Sequence, residues 1–240
     1  IYVKDDTQIL IDAGTNTKYI QGCLRQLGLE LNDLTHIVLT HAHRDHVSAL
    51  PVLMKHTKAR LVCSEGTYEQ LKLPQDDPLL FWEGDSFVLG DVPVGTAPTP
   101  HDCFGSCCYL FGEGDGSLAY CTDLGSVTAD IFRLIRKGKN LFIESNHDVD
   151  MLKNGPYPYQ LKQRVLSGSG HLSNADCAGI VSRLALEGTE RVMLGHLSET
   201  NNRPELAIGE SASALKQMGA QNDVLLGAAA AKEMQQPVRL

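Results

Sequence analysis

Thr40-His41-Ala42-His43-Arg44-Asp45-His46 is the stretch on which the reading of this chain turns. His41, His43, Asp45 and His46 directly follow the apolar run Ile37-Val38-Leu39, which reads as a buried strand. Where that strand ends and the chain turns, three imidazoles and a carboxylate are presented together. Such a mixed set suits Zn, Mn or Fe. The plain alternative is a His-rich turn without metal. It has little physical support, because crowded His and Asp side chains bring no folding benefit and imidazoles repel one another when protonated.

Working outward, the pattern is one of short strands alternating with helices, hence an α/β chain. Residues 1–3 and 8–12 read as a hairpin, with Asp12-Ala13-Gly14 ending its second strand. A helix is expected over 17–27, with Gly28 closing it, and another over 45–56, entered at the ligands themselves. A strand at 59–63 and a short helix at 65–71 follow. The middle is β-rich, with strands at 85–89, 92–96, 107–111 and 117–121 separated by Gly, Pro and Asp turns. Helices at 127–136, 174–186 (capped by Ser173) and 203–218 alternate with strands at 140–144, 191–194 and 223–226. The small-residue run from Leu226 to Ala231 is expected to be loosely ordered. We expect one domain over residues 1–240. The chain opens at Ile1 inside a strand, so an N-terminal piece is expected to precede it.

Composition narrows the function. The formal net charge of −8 argues against a nucleic-acid grip built on a broad basic surface, and leaves room for local phosphate recognition. No apolar run approaches a membrane helix, and no signal peptide is visible. The cysteines Cys23, Cys63, Cys103, Cys107, Cys108, Cys121 and Cys177 include no CxxC pair and fall largely in apolar stretches. Buried, reduced thiols in a cytoplasmic protein are expected. Cys103 stands near His101 but is expected to be a bystander.

Further pieces recur in order: Asp12 after the second strand, His101 in Thr99-Pro100-His101-Asp102, Asp123 in Cys121-Thr122-Asp123, and His196 in Leu194-Gly195-His196. With His-x-His-x-Asp-His, this ordered set resembles the metallo-β-lactamase superfamily, which implies a four-layer αββα sandwich. The segments Glu144-Ser145-Asn146-His147-Asp148, Met151 to Pro158, Leu161-Lys162-Gln163-Arg164, Gly170-His171-Leu172-Ser173-Asn174 and His196 to Asn202 look like the YycJ/WalJ-type metallohydrolases, associated with 5′→3′ exonuclease action on DNA. His171 followed by a polar residue and a helix is also similar to tRNase Z. A Ser-Gly-rich opening usual in that family is missing before the first strand.

The resemblance implies two divalent metal ions, Zn foremost, with Mn or Fe as alternatives. One would be held by His41, His43 and His101, the other by Asp45, His46 and His196, with Asp123 bridging and Asp12 orienting the metal loop. Catalytic roles fall to Asp45, Asp123, His171 and Glu144. A leaving alkoxide needs a proton, so His171 is the candidate general acid and Glu144 its orienting partner. The alternative for His171 is a cap or a satisfied loop histidine. His147, Lys153, Tyr157, Lys162 and Arg164 are candidate substrate contacts, since interleaved aromatics and cations stack bases and meet phosphates. The alternative there is a Pro-rich loop beside a solvated helix face. A phosphodiesterase acting on DNA ends is thus expected. Thioesterase, lactonase, β-lactamase or a tRNase Z-like ribonuclease stand as alternatives on the same scaffold, and a non-catalytic metal-binding module stands outside it.

Overall fold

The computed structural model describes residues 1–72 and 77–229; of the small-residue run expected to be loosely ordered, Leu226 to Ala228 lie in a strand, and residues from 230 on lie outside the described ones. The chain divides into two compact units, residues 1–96 with 103–107, and residues 97–102 with 108–240.

In the first unit, strands β1 (Tyr2–Lys4), β2 (Thr7–Ile11), β3 (His36–Val38), β4 (Arg60–Ser64) and β5 (Leu79–Phe81) lie in that spatial order. The β1–β2 hairpin is antiparallel, while β2, β3, β4 and β5 run parallel. Helices α1 (Thr17–Gln26), α2 (Arg44–Val47), α3 (Leu50–Leu53) and α4 (Glu65–Leu71) accompany them, and β6 (Ser86–Leu89) pairs antiparallel with β7 (Val92–Pro98). Asn16 caps α1 by accepting from the Tyr19 amide at 2.9 Å, and Gly28 follows the helix at φ +75, a conformation open to glycine. The core gathers Ile20, Leu24, Ile37, Leu39, Leu50, Leu53 and Leu61. Each such burial contributes roughly 1.5–3 kcal/mol.

The single helix expected over 45–56 is two short ones. Pro51, in the first turn of α3, has no amide hydrogen to give the preceding turn, so the helix restarts there. Strand β5, flanked by Pro78, carried no alternation that marks a strand.

In the second unit, β8 (Cys107–Phe111), which enters from the first unit, pairs antiparallel with β9 (Leu118–Cys121). Strands β9, β10 (Asn140–Glu144), β11 (Arg191–Gly195) and β12 (Leu225–Ala228) are then adjacent and parallel. Helices α5 (Ala129–Ile135), α6 (Val149–Asn154), α7 (Tyr159–Val165), α8 (Asn174–Leu186) and α9 (Pro204–Gln217) alternate with them. Ser173 caps α8 as expected, accepting from the Asp176 amide at 3.1 Å. Ile131, Ile143, Val181, Leu184 and Leu194 centre the core. Within that parallel set, β9, β10 and β11 bring their carboxyl ends, and the residues that follow, side by side.

All seven cysteines are free, and all but Cys23 are buried. Burial pushes the Cys63 thiol up to about 12, and that of Cys177 likewise to about 12. Folded protein at pH 8 should therefore react with a thiol reagent rapidly at Cys23 alone, and at the remaining sites after denaturation. Rapid labelling of Cys63 or Cys177 in the folded state would contradict this packing.

Candidate metal and catalytic site

The first unit builds its part of the site where β2 and β3 end. Asp12 follows β2 with φ 58, and its carboxylate reaches across to the loop after β3. It accepts from the Thr40 amide at 2.8 Å, from the Thr40 hydroxyl at 2.9 Å and from His46 Nδ1 at 2.8 Å. The Thr40 hydroxyl gives its proton to Asp12, so its oxygen accepts from His41 Nδ1 at 3.0 Å. One carboxylate thus sets two imidazole tautomers, leaving Nε2 of both His41 and His46 with a lone pair for a metal. The rings of His43 and His46 sit 4.7 and 4.2 Å from that of His41, centroid to centroid. Asp45 is exposed on the first turn of α2, with a carboxylate oxygen 3.7 Å from His46 Nε2. Backbone bonds from Ala13 N to His46 O (2.7 Å) and from Ala49 N to Ala13 O (2.8 Å) tie the loops together. Gly14 permits that approach, since a Cβ there would lie 1.8 Å from the Asp45 carbonyl oxygen.

The second unit repeats the device with Glu144, fully buried at the end of β10. Its Oε2 accepts from the amides of Asp123 (2.5 Å) and Leu124 (3.2 Å), and its Oε1 from His171 Nδ1 (2.8 Å). Burial works against its ionisation, but the hydrogen bonds and charges of His171 and His196 hold its carboxyl at about 2. Asp123 Oδ1 lies 3.8 Å from His101 Nε2, 3.6 Å from His196 Nε2 and 3.8 Å from His171 Nδ1. The Gly170 carbonyl accepts from His101 Nδ1 at 3.3 Å, which turns His101 Nε2 toward Asp123. Asp123 and His196 both have left-handed backbones, φ 57 and 52. With Asp12 they form a set of strained positions of the kind held at functional sites, at about 1–3 kcal/mol each. Gly195, just before His196, lies under the Phe142 ring, whose Cζ would be 2.1 Å from a Cβ.

The donor sets fit divalent metal. Two of the imidazoles in the first unit have Nδ1 occupied and Nε2 directed elsewhere, and in the second unit Asp123, Glu144, His171 and His196 bring ligand atoms within 4.8 Å of one another. Glu144, with hydrogen bonds on both oxygens, orients the others.

A cavity of about 370 Å³ in the second unit is lined by His171, His196, Tyr157, Arg164, Asn146 and Ser198, among others. Tyr157 and Arg164, two of the expected substrate contacts, are thus among its lining residues. The Arg164 guanidinium also meets Asp102, Nε to Oδ2 2.5 Å. Lys162 instead donates to the Lys153 carbonyl at 2.7 Å, and neither lysine lines the cavity. His147 is buried, with no hydrogen-bond partner on either ring nitrogen among the described residues, and burial lowers its pKa. The wall residues Asn146, Ser198, Thr200 and Asn201 carry no chemical signature in sequence. Only their place in the resembling segments marked them.

The chain belongs to the metallo-β-lactamase superfamily, whose model, described as Metallo-beta-lactamase superfamily, matches residues 1–196. Its two sheets flanked by helices are that superfamily's fold, and the chain is a metal-dependent hydrolase. Within the superfamily it is of the YycJ/WalJ type. It is 34% identical to exodeoxyribonuclease YycJ of Bacillus anthracis over 90% of this chain and 83% of that protein. It is 33% identical to exodeoxyribonuclease WalJ of Streptococcus pneumoniae over 83% of this chain and 77% of that protein. Among solved structures, the metallo-β-lactamase fold protein YhfI from Bacillus subtilis is similar at TM-score 0.64 and 17% identity, covering 93% of this chain and 85% of that one.

Proposed function

We propose that this protein is a two-metal phosphodiesterase that degrades DNA from its ends, 5′→3′, in the cytoplasm. The observation that carries the reading is the His171–Glu144 pair beside Asp123 and His196. It supports the reading because such a pair would serve as a proton-transfer group beside a metal donor set, on a chain whose relatives are named exodeoxyribonucleases. Free thiols throughout support a reducing compartment. Among the described residues, no helix is long and apolar enough to cross a membrane.

His41, His43 and His101 would hold one ion, and Asp45, His46 and His196 the other, with Asp123 shared. When bound, two such ions supply a nucleophile near neutral pH and offset the charge that develops at phosphorus. The protein's own groups do the rest. Asp12 and Thr40 fix the tautomers of His46 and His41, and the Gly170 carbonyl fixes that of His101. Glu144 anchors His171 through Nδ1, so Nε2 is the nitrogen left to give a proton to the leaving alkoxide. Zn fits the imidazole-rich donors, and Mn is compatible with the carboxylates.

The test is a panel assay of metal-loaded protein on end-labelled DNA, end-labelled RNA, bis-p-nitrophenyl phosphate and nitrocefin. DNA and the small phosphodiester should be cleaved and nitrocefin left nearly untouched. Good turnover of nitrocefin with none of DNA would overturn the nuclease reading while leaving the metal centre in place.

A further inference from the structure

The cavity beside His171 and His196 is small, and its walls are of two kinds. At about 370 Å³ it stands at the low end of the roughly 300–1,000 Å³ of pockets that enclose a small ligand. Tyr157, Leu161, Val165 and Leu197 contribute apolar and aromatic lining, and Arg164, Asn146 and Ser198 contribute polar lining. An aromatic face stacks a base and a guanidinium meets a phosphate, so the wall chemistry matches one nucleotide. The volume is in the size class of a pocket for one small ligand rather than of a groove for a duplex. Arg164 is paired with Asp102 and shares the lining with Glu199, in a chain of net charge −8, so this lining is not built to hold a run of duplex phosphates.

We propose that this cavity seats a single nucleotide, so that a DNA strand end reaches the catalytic groups only with its terminal nucleotide unpaired. The inference rests on the nuclease reading and deepens it. The terminal pair of a duplex must open first, at the cost of about one stacking step. That step averages ~1.4 kcal/mol, or about tenfold in rate. Tyr157 is the stacking platform. Because stacking tolerates every base, the identity of the terminal base should matter less than whether it is paired.

The experiment compares initial rates of metal-loaded protein on three substrates of one sequence: a single strand, a duplex mismatched at the cleaved end, and a duplex closed there by G·C. The mismatched end should be cleaved about tenfold faster than the G·C end, with mononucleotides as products. On the single strand, Tyr157→Ala should raise KM about tenfold with a smaller change in kcat, and Tyr157→Phe should restore it, metal content serving as the control for folding. Equal rates on the two duplex ends, or di- and trinucleotide products, would overturn the single-nucleotide seat while leaving the nuclease reading intact. Cleavage of none of the three would remove both.

Discussion

Replacing His171 by alanine should slow DNA cleavage by ~10²–10⁴-fold, the usual contribution of a positioned general acid, while bound metal stays at the wild-type level. The expectation follows from geometry. His171 Nδ1 is taken up by Glu144 at 2.8 Å, the ring is partly buried beside Asp123, and it lines the cavity. A proton donor matters in proportion to the basicity of the leaving group. The deficit should therefore shrink on bis-p-nitrophenyl phosphate, whose aryl oxide leaves without protonation. Equal deficits on DNA and on the aryl ester would mean that His171 positions substrate, and loss of metal would make it a ligand.

Asp123→Asn should abolish activity and strip metal, by more than the ~10–100-fold that loss of an outer-shell partner costs. Asp123 stands among His101, His171 and His196, each with a ring nitrogen within 3.8 Å of Oδ1. Its backbone holds φ 57, which asparagine tolerates and alanine resists, so Asn removes the charge with the least strain. The Asp123 amide would still donate to Glu144, and the apo fold should keep its Tm. Elemental analysis would decide: close to two divalent ions per chain in the wild type and well under that in the variant. Full occupancy in the variant would show that Asp123 is no ligand.

The parts of the site legible in sequence were those written locally. His41, His43, Asp45 and His46 sit within one turn after an apolar run, and that spacing alone forces them together. Asp12, His101, Asp123 and His196 were legible as loop residues after strands, but only resemblance ordered them as a set. The break between α2 and α3 is also local, marked by Pro51 inside the stretch 45–56 expected as one helix. The short helix α7 lies in the stretch whose aromatics and cations are the candidate substrate contacts, and it carries no apolar periodicity long enough to mark it.

Sequence by itself determined the chemistry on offer: imidazoles and carboxylates at strand ends, thiols in apolar runs, and a net acidic chain. Tertiary structure decided what each group is bonded to. Glu144 reaches Asp123 and His171, 21 and 27 residues away, because β9 and β10 are parallel neighbours with carboxyl ends at one level. The same pairing of β10 with β11 sets Glu144 opposite Gly195 and so brings His196 alongside. Those contacts, the imidazole tautomers they impose and the cavity that takes Tyr157 and Arg164 but neither Lys153 nor Lys162 arise from strand order and register. Residues far apart in the chain share no local periodicity that would record such contacts.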